Sequence, residues 1–320
     1  MKFKKVFLCL LAAFTLTGCQ TVKQPQPEET EAVTPAAPVQ EYNLNEKAKW
    51  FIGKPTYEQV LEDIDSQNNT LPANPDEFYT EMVFDKGRMY LKVTEEQKKN
   101  LIANNEKLIR GAEAHFKQIS ERNSVEWNED FSKVEYHVDY EKSLGGSMVE
   151  SGVNMTTLVM INSLMYINRT LVTGDSGAAI DTTMINADSG HVLSNALMPY
   201  ESISISYDDY ELSKTQDVSE SSEYKDYVEI KMEITDMDEN RIIFTPMEKD
   251  KFYIEDEKLC LCRDSVYAEE VALPVELNVG DIMVLRLDGT YALHDDGDEI
   301  PDIAPKTIIP LKYWEAAHKN

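Results

Sequence analysis

Residues Glu77–Ile119 read EFYTEMVFDKGRMYLKVTEEQKKNLIANNEKLIRGAEAHFKQI, and both periodicities of the fold meet within them. Glu77 to Phe84 and Arg88 to Val93 alternate apolar with polar, and Asp85-Lys86-Gly87 between them is a hairpin signal. At Thr94 the period changes from 2 to 3.6. Thr94 and Gln97 have the spacing of a capping box. Leu101, Ile102, Leu108, Ile109, Ala112, Phe116 and Ile119 then share one helical face. Glu95/Lys99, Glu106/Arg110 and Glu113/Lys117 are spaced to pair on the outer face at i,i+4. A hairpin running into a long amphipathic helix predicts an α+β fold.

Further along, Val134 to Tyr140 alternates as a strand and Gly145-Gly146 breaks the chain. Met148 to Leu171 is apolar nearly all round and reads as a buried helix. A membrane span is the poorer reading, because Asn154, Asn162, Ser163, Asn168 and Arg169 would be costly in lipid. Ala179 to Ile185 and Val192 to Leu197 bracket the turn Asp188-Ser189-Gly190. These elements predict a two-layer α+β domain over residues 46–206.

Residues 207–227 carry seven acids against Lys214 and Lys225 and show no apolar period. They read as an acidic linker or solvated loop, with a cation-binding strip as the sharper reading. Residues 228–320 read as a small all-β domain. Its strands are expected at Val228–Ile234, Arg241–Thr245, Lys251–Ile254, Lys258–Cys262, and between the turns Gly280-Asp281 and Asp288-Gly289. The order V-E-I-K-M-E-I-T-D-M-D, then I-I-F, then V-G-D-I-M-V-L-R-L-D-G resembles small OB-like domains of exported Gram-positive proteins. The resemblance implies a small β-barrel and no activity to inherit.

At the other end, Lys2, Lys4 and Lys5 precede the apolar run Val6–Leu16, which closes on Leu16-Thr17-Gly18-Cys19. The run is shorter than the roughly 20 residues that span a bilayer and suits the core of an export signal. The whole resembles a bacterial lipobox. That resemblance implies cleavage after residue 18, a diacylglycerol (palmitate-bearing) thioether on Cys19 and an N-acylated terminus. A lipoprotein held on the extracytoplasmic face of the cell membrane is the expectation, with residues 19–45 as acylated Cys and tether. Pro25, Pro27, Pro35 and Pro38, with no Gly between Gln20 and Asn45, favour an extended spacer.

Charge narrows the partners. Lys and Arg total 31 against 58 Asp and Glu, a formal net charge of -27. Removing the three signal lysines leaves 28 - 58 = -30. A basic field for nucleic acid is excluded, as is a polybasic hold on anionic lipid. Cys9 leaves with the signal and Cys19 is acylated, so Cys260 and Cys262 remain, both on one face of a strand. A disulfide between residues i and i+2 is geometrically poor.

Several short motifs invite chemistry. Gly174-Asp175-Ser176-Gly177 resembles the nucleophile segment of trypsin-like proteases, yet Ala178-Ala179 follow it and His115 and His137 sit on a helix and a strand. It reads as a turn. Asp236-Met237-Asp238-Glu239-Asn240 starts like a calcium loop, but Arg241 and Met247 stand where Gly and Glu are needed, so it reads as a hairpin turn. Asp295, Asp296, Asp298 and Glu299 crowd around Gly297 and are weak candidates for a metal site. No pattern for a cofactor is present and no catalytic residue is assigned. The expectation is an envelope binding or interaction protein, suited to a cationic peptide, a metal ion or an envelope protein. An envelope hydrolase acting on wall polymers is the alternative, and a structural envelope spacer the third. Close carboxylates with raised pKa in a deep cleft favour the hydrolase, and a Tyr-rich or acidic groove favours binding. Cys19→Ala is expected to release the protein from membranes or leave an uncut precursor. Undiminished palmitate labelling of that variant rules out the anchor.

Overall fold

The structure is a computed structural model that describes residues 37–144, 148–201, 203, 205–218, 227–247, 258–262, 277–288, 300, 303 and 305–318. Among the described residues twelve strands and six helices form a mixed α+β fold, and Pro38–Asn320 is one compact unit. Cys19 and the acidic quartet Asp295, Asp296, Asp298 and Glu299 lie outside the described residues, as does the expected strand Lys251–Ile254.

Three strands make the first sheet, in the order β1 (Val39–Asn45), β3 (Arg88–Thr94), β2 (Glu81–Asp85), all antiparallel. The β2–β3 hairpin turns on Lys86 (φ 46°) and Gly87 (φ 76°). Two successive positive φ values give the twist that matches a two-residue hairpin, and Gly meets the second at no steric cost. β1 departs from the sequence reading, in which Val39–Asn45 belonged to the tether. Alternation settles it. Tyr42 and Leu44 enter the core while Glu41, Asn43 and Asn45 stay outside.

Helix α1 (Tyr57–Ser66) precedes β2, and α2 (Glu95–Ile119) follows β3 directly. At the start of α2 the capping box is formed. Gln97 N donates to Thr94 Oγ1 at 3.3 Å, and Thr94 N donates to Gln97 Oε1 at 2.8 Å. Leu101, Leu108, Ile109, Ala112 and Phe116 are fully buried on the expected face. Of the expected ion pairs only Glu113–Lys117 forms, at 2.8 Å. Glu95 takes Lys98 and Arg110 takes Glu113, both at i,i+3. Arg110 also lies 3.9 Å from the Trp127 ring centre, which draws it away from Glu106.

The second sheet runs β4 (Ser124–Trp127), β5 (Lys133–Val138), β6 (Ile180–Asn186), β7 (Val192–Met198). β5 and β6 are parallel, so a crossover is required, and α3 (Tyr140–Ser143) with the long α4 (Met148–Thr173) supplies it. Among the described residues no helix is long and apolar enough to cross a membrane. Leu158, Ile161, Leu164, Met165 and Leu171 of α4 instead bury against α2 and both sheets in one core. Inside that core Asn105 Nδ2 donates to Asn168 Oδ1 at 2.8 Å, and both residues are fully buried. The pair fixes the register of α2 against α4, because any slide would leave two buried amides unbonded.

The acidic stretch starts with a helix, α5 (Tyr207–Ser213), where the sequence suggested a loop or linker. Ser206 and Asp209 form a reciprocal cap, and Tyr210 stacks on Tyr140 with ring centres 4.4 Å apart. Capping and one aromatic anchor suffice where apolar periodicity is missing.

The C-terminal strands form an open antiparallel sheet, ordered β10 (Leu259–Cys262), β9 (Arg241–Pro246), β8 (Tyr227–Met237), β11 (Ile282–Asp288), β12 (Thr307–Pro310). Among the described residues none of the three sheets closes into a barrel. The sheet has its own core of Ile230, Met232, Ile234, Phe244, Leu261 and Leu285, among others. The turn at Asp236–Asn240 is the β8–β9 connection, where Asp238 Oδ1 accepts from the backbone N–H groups of Asn240 and Arg241, each at 2.8 Å. On β10, Leu259 and Leu261 face that core, with Cys260 and Cys262 on the opposite face. Helix α6 (Leu311–Ala317) ends the described chain, so residues 228–320 are not all-β as the strand pattern suggested.

One ion pair in this unit is dry. Lys54 Nζ lies 2.5 Å from Asp63 Oδ2, with side chains 2% and 3% exposed. Thr70 N and Oγ1 and Gln59 Nε2 also donate to Asp63. Burial works to raise the Asp63 pKa, but these donors outweigh it and hold the group at about 2. The stabilisation is therefore full above about pH 4 and lost as the pH falls through 2. Asp63→Asn strands a buried ammonium and is expected to cost about 3–5 kcal/mol in urea unfolding at neutral pH. The variant should also lose much of the wild-type stability change between pH 4 and pH 2.

Candidate functional site

A cleft of about 740 Å³ opens where the first sheet, the α4–β6 turn and the C-terminal sheet meet. Three segments shape it. One is the outer face of the first sheet. On β3, Met89, Leu91 and Val93 are buried, so Tyr90 must face outward, and register places it beside Asn43 of β1. Glu41 sits two residues earlier on the same face and is paired in register with Lys92. The second segment is the entry to β11, Leu277 to Met283, where Gly280 at φ 96° makes the turn and Asp281 Oδ2 accepts from Asn278 N at 2.8 Å. The third is Gly174-Asp175-Ser176-Gly177 together with Pro310 to Tyr313.

The Gly-Asp-Ser-Gly turn is the joint of the molecule. Asp175 Oδ1 accepts from Gly177 N at 2.9 Å. Its Oδ2 accepts from Lys312 Nζ at 2.6 Å and from the Tyr313 hydroxyl. Tyr200 Oη donates to Gly177 O at 2.6 Å, and the Tyr166 hydroxyl donates to Ser176 O. Partial burial works to raise the Asp175 pKa. The hydrogen bonds from Lys312, Tyr313 and Gly177 prevail, so the carboxyl is held below the ordinary range. Burial, then the bonded Asp175 carboxylate, pushes the Tyr313 hydroxyl well up, and burial does the same to Tyr200. Both phenols stay protonated donors. Around them Ala179, Leu197, Tyr200 and Ile309 pack with Tyr313, Trp314 and Ala317 into a small third core. On its flank Arg286 of β11 pairs with Glu201 and lies 2.8 Å from Glu229, which clamps β11 to the end of β7.

These contacts decide the chemistry of Ser176. Among the described residues no histidine lines the cleft, and the nearby Lys312 ammonium donates a hydrogen bond to Asp175. His115 stands mid-helix against Tyr57, and His137 lies on β5 opposite Ser124. A hydrolytic serine needs a base within hydrogen-bond reach, and none of these groups supplies one. Each described carboxylate that departs from its ordinary pKa moves down, as Asp63, Asp139 and Asp175 do. Among the described residues no three His, Cys, Asp or Glu side chains converge as a metal site would require.

Of the tyrosines near the acidic stretch, Tyr200 and Tyr210 are buried and Tyr207 is 64% exposed, while Tyr224 lies outside the described residues. Glu41, Asn43, Tyr90 and Tyr313 have no role in the sequence reading, and Asp281 figures there only as a turn residue. The alternation of β3 already put Tyr90 on the polar face. The other four needed a partner strand or a distant turn to acquire a role.

Compared with known proteins, the chain matches no family model, no curated protein and no solved structure. Asp175→Ala is expected to lower stability by about 1–2 kcal/mol, since the carboxylate is partly exposed. Amide exchange should rise over Thr307–Ala317 and stay unchanged in α2. A uniform rise would mean that the joint does not open on its own.

Proposed function

We propose that this chain is a lipid-anchored protein of the extracytoplasmic membrane face that binds its ligand in the cleft between the first and the C-terminal sheets. One observation carries the reading. The cleft presents Glu41, Asn43, Tyr90 and Asp281, while its remaining carboxylate, Asp175, is bonded to Lys312 and Tyr313 and has its pKa held down. An acid–base hydrolase needs one carboxyl pushed up toward neutrality so that it can donate a proton. A cleft with accessible polar groups and one tyrosine face can hold a ligand without transforming it.

The anchor reading rests on Leu16-Thr17-Gly18-Cys19. Between Cys19 and β1 run Gln20 to Pro38, whose proline content suits an extended spacer with a reach of about 60 Å at ~3.1 Å per residue. That exceeds the Debye length of about 8 Å several times over, so a body of charge -30 escapes the repulsion of an anionic surface. Two acyl chains or more give a durable hold at about 0.8 kcal/mol per buried CH₂.

For the C-terminal sheet we propose an OB-like module. The strand order supports it. β8 is long, pairs with β11 through Glu233 and with β9 from Met232, and shifts register at Ile234/Asp236. Such a bulged strand can serve both halves of a curling sheet. The two edges, β10 and β12, are the pair that closure would join. Ile303, just ahead of β12, already donates its N–H to Cys260 O of β10 at 2.8 Å.

Full-length protein mixed with purified wall polymer should retain the polymer's reducing ends and free amino groups unchanged in number. Release of either, abolished by Glu41→Gln or Asp281→Asn, would replace this reading by the hydrolase.

A further inference from the structure

Four charged side chains line the cleft, and they do not cancel. Lys312 and Asp175 neutralise one another at 2.6 Å, which leaves the carboxylates of Glu41 and Asp281. Glu41 is 54% exposed, and Lys92, its nearest cation, stands 3.8 Å away but only 2.6 Å from Glu81. Asp281 has no ion pair among the described residues, and the turn that binds its Oδ2 to Asn278 N fixes its direction. Two carboxylates share the one charge of Lys92 on the first wall and Asp281 stands on the second, so the cleft is net negative within a chain whose formal charge is already -27.

We infer that the cleft takes a basic, extended peptide segment, with Glu41 and Asp281 receiving its ammonium or guanidinium groups. The inference rests on the reading of the cleft as a binding site and names the class of its occupant. Dispersion of the acids favours this ligand over a metal ion. A hard divalent cation collects about six to eight oxygens at one point, whereas these carboxylates come from separate elements, β1 and the entry to β11. Cations spaced along a chain match carboxylates spaced along a cleft. The neutral groups between them fit too. Half-buried Tyr90 offers a ring for the stem and charge of a Lys or Arg. Asn43 Oδ1 is taken by Arg88 Nε at 2.9 Å, which leaves its amide N–H groups as donors for a ligand carbonyl. A cleft of about 740 Å³ lies within the 300–1,000 Å³ usual for ligand sites, enough for part of an extended chain. The net charge of the whole body steers such a partner toward the cleft and makes the association salt-dependent.

The test uses full-length protein in neutral detergent at about 50 mM salt, where screening is modest. The probe is a fluorescein-labelled peptide of alternating Lys and Gly, and its analogue with Glu for Lys is the control. The basic peptide should raise anisotropy saturably and the acidic one should not. Glu41→Gln with Asp281→Asn should weaken binding about tenfold or more. Glu62→Gln with Glu96→Gln removes the same charge outside the cleft and should change it less than about twofold. No binding of the basic peptide, or equal weakening by both double variants, overturns the inference. Amide exchange over Val39–Asn45 and Leu277–Met283 is followed with the same peptide and with a neutral soluble wall glycan. Protection by the glycan alone overturns the basic ligand and leaves the binding reading standing. Protection by neither removes both.

Discussion

Asp175 is one carboxylate on a four-residue turn, and the attachment of the C-terminal third of the molecule converges on it. It sits where α4 ends and β6 begins, so its backbone belongs to the large core, while Lys312 and Tyr313, which donate to its Oδ2, belong to α6. Among the described residues the two cores form separate clusters, with the small cluster around Tyr200 and Ile309 between them. A joint of this size needs directional bonds to define its angle, because a few apolar contacts tolerate rotation. The fully protonated phenols of Tyr200 and Tyr313 and the ionised carboxyl of Asp175 supply them.

That joint also makes the cleft. Glu41 and Tyr90 belong to a sheet completed before residue 95, and Asp281 to a strand near residue 282. Only the seating of α6 and β12 on the 174–177 turn brings them around one space. The same residues explain why a sequence that looks like a protease nucleophile is structural. A serine turn whose aspartate is spent on a lysine and a tyrosine has no proton acceptor left to offer. Acidity, spread over the whole chain, is then gathered around a cleft in which Glu41 shares Lys92 with Glu81 and Asp281 has no ion pair among the described residues.

Much of this was legible locally. The Thr94–Gln97 cap, the Lys86-Gly87 turn and the alternation of β3, β5, β6 and β8 depend on neighbours within a few residues, and they stand where their patterns put them. Other segments were not, among them α1, β4, β12 and α6, and three show why. Val39–Asn45 follows a Pro-rich stretch and reads as spacer until β3 offers it a partner. Tyr207–Ser213 lacks apolar periodicity and is helical because of its cap and the Tyr140 stack. The C-terminal strands promise a barrel, yet a ring depends on how far the sheet curls, a property of packing between distant strands.

The sequence by itself determined the mixed α+β character, the strongly negative charge and the elements whose hydrogen bonds close within one turn or hairpin, since each follows from local sterics and side-chain period. Tertiary structure alone decided that Gly174–Gly177 is a joint, that Lys54 and Asp63 share a dry pocket, and that Glu41, Tyr90 and Asp281 line one cleft. Those outcomes depend on which distant surfaces exclude water together, and no periodicity in a single stretch of chain records that.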